Sequence, residues 1–143
     1  MVSLVFGKLD TYLLDFINEN SSEDFWYDYA YLQAQDLLNN FTQSDWAELH
    51  QNIDTKSDLW KIRVAYCIDE DTGMNGFEFL LSLMNDSDDV VEYAIDSLRS
   101  FDSEEYKNII HSNRMLKIKT QKLLENASLP VKRVLEAFLQ QNK

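Results

Sequence analysis

The chain has 143 residues, 45% hydrophobic and 13% aromatic, with only three glycines and one proline. That apolar content excludes a disordered acidic tail, and the scarcity of Gly and Pro disfavours a turn-rich β architecture. The formal net charge of −12 argues against a nucleic-acid binder, because excess carboxylates repel a phosphate backbone.

The first predicted helix covers about residues 8–19, with Leu9, Tyr12, Leu13 and Phe16 on one face and Asp10, Asp15 and Glu19 toward water. Ser21 and Ser22 break the pattern and can cap the next helix, which has Glu23 and Asp24 in its first turn and runs to about Asn40. Its stripe is Ala30, Ala34, Leu37, Leu38 and Phe41. Phe25, Trp26, Tyr27, Tyr29 and Tyr31 crowd its front half, more rings than one buried stripe holds, so some are expected to stay exposed. Thr42 opens a short helix bearing Trp46, Leu49 and Ile53, and Asp45 three residues on completes a capping-box pattern with Asp in place of Glu. Thr55 and Asp58 repeat that signal. The segment LWKIRVAYCI (59–68) is apolar at eight of ten positions, which predicts a central buried helix with Lys61 and Arg63 marking its narrow exposed strip.

DEDTGMNG (69–76) is the clearest predicted loop. The segment 77–101 then reads as two amphipathic helices. Phe77, Leu80, Leu81 and Met84 sit at i, i+3, i+4, i+7; Val91, Ala94, Ile95 and Leu98 repeat the spacing after an acidic turn at 85–88. Ala65 and Ala94, 29 residues apart, fall in matching places. Asp102 to Glu105 starts another helix with Tyr106, Ile109 and Ile110 inward, interrupted at Ser112 and Asn113. A basic helix at about 115–125 carries Leu116, Leu123 and Leu124. The last helix begins at Ser128, with Pro130 in its first turn and Val131, Val134, Leu135 and Phe138 on its face. The expectation is one all-α domain over 1–143: an irregular superhelical bundle of eight or nine helices in antiparallel pairs.

Charge is unevenly placed. Residues 1–106 hold 23 of the 25 acids and five of the 13 bases, a balance of −18; residues 107–143 hold two acids and eight bases, a balance of +6. Such a body attracts a basic partner and speeds its association. Cys67 is the only cysteine and lies in an apolar run, so a buried inert thiol and a reducing compartment are expected. No run approaches the ~18 consecutive apolar residues of a membrane span, and MVSLVFGKLD (1–10) lacks a signal peptide's cationic start. A cytoplasmic location is expected, with no membrane partner.

Catalytic chemistry is hard to find. Asp69, Asp71 and Gly73 imitate the opening of a calcium loop, but Met74 stands where glycine is needed and Leu80 where a bidentate glutamate is needed. His50 and His111 have no metal-ligand spacing. No Gly-x-Ser-x-Gly, Walker A or Gly-x-Gly-x-x-Gly motif occurs. The expectation is no enzyme, no cofactor and no metal. Surface recognition remains. Asp89, Tyr93 and Asp96 lie at i, i+4, i+7 and project together beside Asp88 and Glu92. Tyr93 among carboxylates is either an aromatic anchor for a partner or cover for a neighbouring helix. Trp26, Tyr27, Asp28 and Tyr31 form a second group of the same composition, and Asp69, Glu70 and Asp71 complete the partner-binding candidates. The basic strip Lys117, Lys119 and Lys122 can pair with the acidic body of its own or another copy.

SDLWKIRVAYCIDE (57–70) and FEFLLSLMNDSDDVVEYAIDSLRSF (77–101) resemble HEAT or armadillo-type repeats, without the usual turn proline and with Glu92 where a basic residue is common. The whole chain is also similar to small acidic immunity proteins of bacterial contact-dependent growth inhibition and related polymorphic-toxin systems. The carriers are the opening aromatic helices, FTQSDWAEL (41–49), the Trp60 helix and YAIDSLRSF (93–101). That resemblance implies a non-catalytic protein that binds the C-terminal toxin domain of a cognate effector, commonly a basic nuclease, and blocks its active site. The alternative is a HEAT-like adaptor binding another protein. A DNA glycosylase on a similar fold needs a basic groove, which this acidity disfavours.

Overall fold

The computed structural model describes residues 3–18 and 23–143; the expected helix end at Glu19 and the caps Ser21 and Ser22 lie outside them. Every regular element among the described residues is a helix or helical turn, with no strand. Helix α1 (Leu4–Asn18) buries Phe6, Leu9, Leu13 and Phe16. It starts earlier than its sequence predicts because its cap comes from elsewhere in the chain. The Phe6 N–H donates to Asp45 Oδ1 at 2.9 Å and the Ser3 N–H to Glu48 Oε1 at 3.2 Å. Carboxylates on another helix thus satisfy donors that a local N-cap would otherwise meet.

Helix α2 (Glu23–Phe25), a wide π-type turn (Trp26–Ala30) and α3 (Tyr31–Asn39) follow without a break. The buried residues Trp26, Ala30, Ala34 and Leu38 recur every four positions. A four-residue stripe drifts around a 3.6-residue helix, and one widened turn takes up that drift. Helix α4 (Gln43–Asn52) opens on the predicted capping box: Thr42 Oγ1 accepts from the Asp45 N–H, and Asp45 Oδ2 accepts from the Thr42 N–H at 2.8 Å. Helix α5 (Asp58–Cys67) starts at Ser57 rather than Thr55. Ser57 Oγ accepts from the Trp60 N–H, while the Thr55 hydroxyl donates to the Asn52 carbonyl and closes a 3-10 turn (Ile53–Thr55).

Helix α6 (Gly73–Ser82), a second 3-10 turn (Leu83–Asn85) and α7 (Asp88–Leu98) repeat that order of elements. Ser57 and Ser87, thirty residues apart, both occupy the extended N-cap position. Ala94 therefore corresponds to Val64 and Ile95 to Ala65, one residue away from the sequence match of Ala65 with Ala94. Side chains join the two units: the Ser87 hydroxyl donates to Asp58 Oδ2 at 2.8 Å, and the Ser97 hydroxyl to the Ala65 carbonyl at 2.6 Å. Helices α8 (Glu104–Ser112), α9 (Arg114–Leu124) and α10 (Leu129–Gln141) complete the chain. The break at Asn113 occurs as predicted, its side chain accepting from the Leu116 N–H. Ile109, predicted inward, is instead exposed beside buried Tyr106 and Ile110. Helices α3, α5, α7 and α10 pack in succession as one layer; α1 lies against α3, α4 and α5, α6 against α7, and α9 against α10.

Helix α5 is central, burying Trp60, Val64, Ala65 and Cys67. Lys61 and Arg63 do not form an exposed strip; they are only 7% and 4% accessible. Lys61 Nζ reaches Asp86 Oδ2 at 2.7 Å, which meets the cost of burying the ammonium. The Arg63 guanidinium lies over Trp26, 4.8 Å from its ring centre, and 5.6 Å from that of Tyr27. Aromatic faces stabilise a cation withdrawn from water, and Arg63 needs them: it makes no ion pair among the described residues.

The predicted loop 69–76 is mostly helical. Glu70–Thr72 forms a 3-10 turn and α6 begins at Gly73. Two glycines hid this. Gly73 has φ +73° and ψ −162°, a conformation essentially reserved for glycine. At Gly76 a Cβ would collide with the Thr72 side chain and come within 3.0 Å of Ile68 Cγ2. Gly73→Ala should therefore cost roughly 1–3 kcal/mol. Urea denaturation checks this, and an unchanged midpoint would show that the strain is not felt. Among the described residues, no helix is long and apolar enough to cross a membrane.

Candidate functional site

The α3–α5–α7 layer gathers four tyrosines, all half-buried: Tyr27 in the π-type turn, Tyr31 on α3, Tyr66 on α5 and Tyr93 on α7. Tyr66 stands edge-on to Tyr27 and Tyr31, with ring centres 4.9 and 5.4 Å apart. The Tyr27 and Tyr93 hydroxyls are 3.3 Å apart. The two groups that the sequence offers separately, 26–31 and 88–96, thus become one tyrosine strip crossing four elements. Burial, reinforced by the Tyr93 hydrogen bond, pushes the Tyr27 phenol well above its ordinary range. Burial also raises Tyr66, helped by Tyr31, Cys67, Asp96 and Asp28 nearby. Tyrosine hydroxyls are protonated at neutral pH, and within the Tyr27–Tyr93 pair one hydroxyl donates to the other.

Carboxylates border the rings. Asp28 and Asp89 are exposed, and exposed Asp96 holds Arg99 Nη1 at 2.8 Å. Asp88 lies 3.7 Å from Lys119 Nζ. Glu92 is half-buried, and burial together with Asp89 and Asp88 raises its carboxyl above the usual range. The strip continues onto α10 through a cleft of about 220 Å³, in which Glu92, Tyr93 and Asp96 face Pro130, Val131 and Val134. Ring faces, hydroxyl donors and carboxylates over an apolar floor form a contact surface suited to a cationic protein segment.

Three predicted candidates do other work. Trp26 is completely buried, because the wide turn swings its indole against Phe16 and Arg63, so it cannot serve as a surface anchor. Asp69 spends both oxygens internally, Oδ1 on the Asp71 N–H and Oδ2 on Gln35 Nε2. Glu70 accepts from the Ser103 N–H at 3.3 Å and holds the approach to α8. Asp71 is exposed at the turn. Sequence reading missed Tyr66, which lay in a segment read as a central buried helix with only Lys61 and Arg63 at its exposed strip. The thirty-residue register would have found it, since it places Tyr66 opposite Asp96, a surface position. Cys67 is fully buried, burial pushes its thiol well up, and its Sγ–H points at the Tyr31 carbonyl 3.6 Å away. That environment disfavours a thiolate nucleophile. His50 packs edge-on to Phe79, and His111 Nδ1 lies 3.5 Å from the Asn142 carbonyl. No family model, curated protein or solved structure matches the chain.

Proposed function

We propose that this protein is a cytoplasmic, non-catalytic immunity protein that binds a cognate toxin domain, a basic RNase, and occludes its active site with an acidic surface. The observation that carries the reading is the continuous strip Tyr27–Tyr66–Tyr93 bordered by Asp28, Asp89, Glu92 and Asp96. Tyrosines give large contact area at low entropic cost, and the carboxylates stand in for the RNA phosphates such an enzyme would otherwise hold. The −18 balance of residues 1–106 adds long-range attraction for a basic domain.

The test is co-expression with the basic domain encoded by the neighbouring gene. A one-to-one complex should form, and its association rate should fall at least ~10-fold between low salt and ~0.5 M. Tyr93→Ala should weaken binding by roughly 1–2 kcal/mol. Absence of any basic partner, or a rate indifferent to salt, removes the proposal. The recurrence of the α4–α5 unit in α6–α7 favours a second reading, a HEAT-like adaptor for another protein. Under that reading binding occurs without inhibition of any nuclease.

A further inference from the structure

The two ends of the helical layer carry unlike surfaces. At one end is the rod formed by α2, the π-type turn and α3. Its outer side exposes Phe25 (50%), Tyr29 (66%) and Leu32 (52%). Around them lie exposed Glu23, Asp24, Asp28 and Asp36, and residues 23–39 contain no Lys or Arg. Asp28, Leu32 and Asp36 follow each other at four-residue steps, so the acids flank the apolar patch.

Toward the other end is α9, packed against α10 and, more lightly, against α7. It exposes Met115 (70%) and Ile118 (57%). Arg114 and Lys122 are exposed on either side of them, Lys117 and Lys119 are half-exposed, and α9 contains no acid at all. Asp88 and Glu92 of α7 approach Lys119 and Lys122 on one side of α9; the two apolar centres otherwise lie beside charges that are acidic on the rod and basic on α9.

We propose that copies of this chain associate head to tail, the α9 face of one seating on the 23–39 rod of the next. The contact joins two different surfaces, so each added copy leaves one of each kind free and growth continues beyond a dimer. A net charge of −12 on each molecule does not prevent this. At about 0.1 M salt the Debye length is about 10 Å, so distant carboxylates are screened while charges brought into contact are not. Isolated exposed apolar residues need no explanation; a cluster at each end beside matching opposite charge does. The two surfaces share Asp28, but the contact uses neither Tyr66, Tyr93 nor the α7–α10 cleft, and the substitutions that test it leave the strip untouched.

Sedimentation velocity of the whole protein tests it. At about 0.1 M salt the average mass should rise with concentration past the dimer, and at about 1 M salt it should fall back toward monomer. Asp24→Lys with Asp36→Lys should abolish self-assembly by cancelling the negative charge of the rod, leaving two acids against two lysines. Arg114→Glu with Lys122→Glu should abolish it by cancelling the positive charge of α9, leaving two lysines against two acids. Mixing the two variants should restore one contact and give one-to-one pairs, since the unchanged rod of one then meets the unchanged α9 of the other. Should a charge-reversed pair lose its helical spectrum, Leu32→Gln and Met115→Gln take its place, and each must lower the assembled fraction. A wild-type protein that stays monomeric, one that stops at a two-fold dimer, or folded variants that fail to assemble when mixed overturns the proposal.

Discussion

Trp60→Ala should destabilise the protein by about 3–5 kcal/mol, the range for removing a large buried aromatic. Three losses combine. The indole is 1% exposed in the centre of α5 and packs 6.4 Å from Phe6, so alanine leaves a cavity between α1 and α5. Its Nε1–H donates to Asp10 Oδ1 at 3.1 Å, and that same oxygen holds Lys56 Nζ at 2.9 Å. Lys56 also lies over the ring, 5.2 Å from its centre. Removing the ring thus loosens an ion pair as well as the core. A domain of this size has about 5–15 kcal/mol of total stability, so the variant should lie near the edge of folding at room temperature. Trp60→Phe separates the contributions: it keeps a ring and loses the N–H, and should cost about 1 kcal/mol for the hydrogen bond beyond its packing change. Urea unfolding measures both. If Trp60→Ala costs less than Trp60→Phe, the packing account is wrong.

Asp45→Ala should cost roughly 3 kcal/mol, more than an ordinary helix cap, because the carboxylate serves two helices. Asp45 is 1% exposed. One oxygen accepts from the Phe6 N–H and the other from the Thr42 N–H and hydroxyl. Alanine leaves those donors without their acceptor at the start of α1 and of α4. Burial alone would raise this carboxyl; the Thr42 and Phe6 donors outweigh it and hold it below the usual range. The sign of the pH effect follows. A depressed folded value means that the unfolded chain takes up the proton more readily. The Asp45 contribution is therefore complete above the ordinary aspartate value of about 3.9 and is lost as pH falls through the lower folded value. Asp86 acts in the same direction: the Lys61 ammonium and the Ser87 N–H outweigh its burial. Urea midpoints measured down through that acid range should drop for the wild type and drop less steeply for Asp45→Ala. Parallel curves would locate the acid sensitivity elsewhere.

What the sequence displayed well was local. The Thr42–Asp45 capping box, the break at Asn113 and the Pro130 start of α10 need only a few neighbouring residues to be read, and each is found in the fold. What it concealed depends on partners far along the chain. The early start of α1 requires Asp45 and Glu48, 39 and 45 residues away from the groups they cap. Lys61 and Arg63 look like surface charges until Asp86 and Trp26 arrive beside them. The same division runs through the candidate site. Aromatics among carboxylates singled out Tyr27, Tyr31, Tyr93 and Asp96 from composition and helical spacing. Nothing local shows that Tyr27 meets Tyr93, or that Trp26, one residue away, turns its back on solvent.

The Arg63 stack has a mechanical consequence. Its guanidinium supports the Tyr27 ring from the protein side, and Tyr66 and Tyr93 brace that ring laterally. A side chain wedged on several sides has already surrendered its rotational freedom before any visitor arrives, so docking on this face freezes little on the host's part. The surface behaves as a mould already set, and whatever fits it must supply the adaptation.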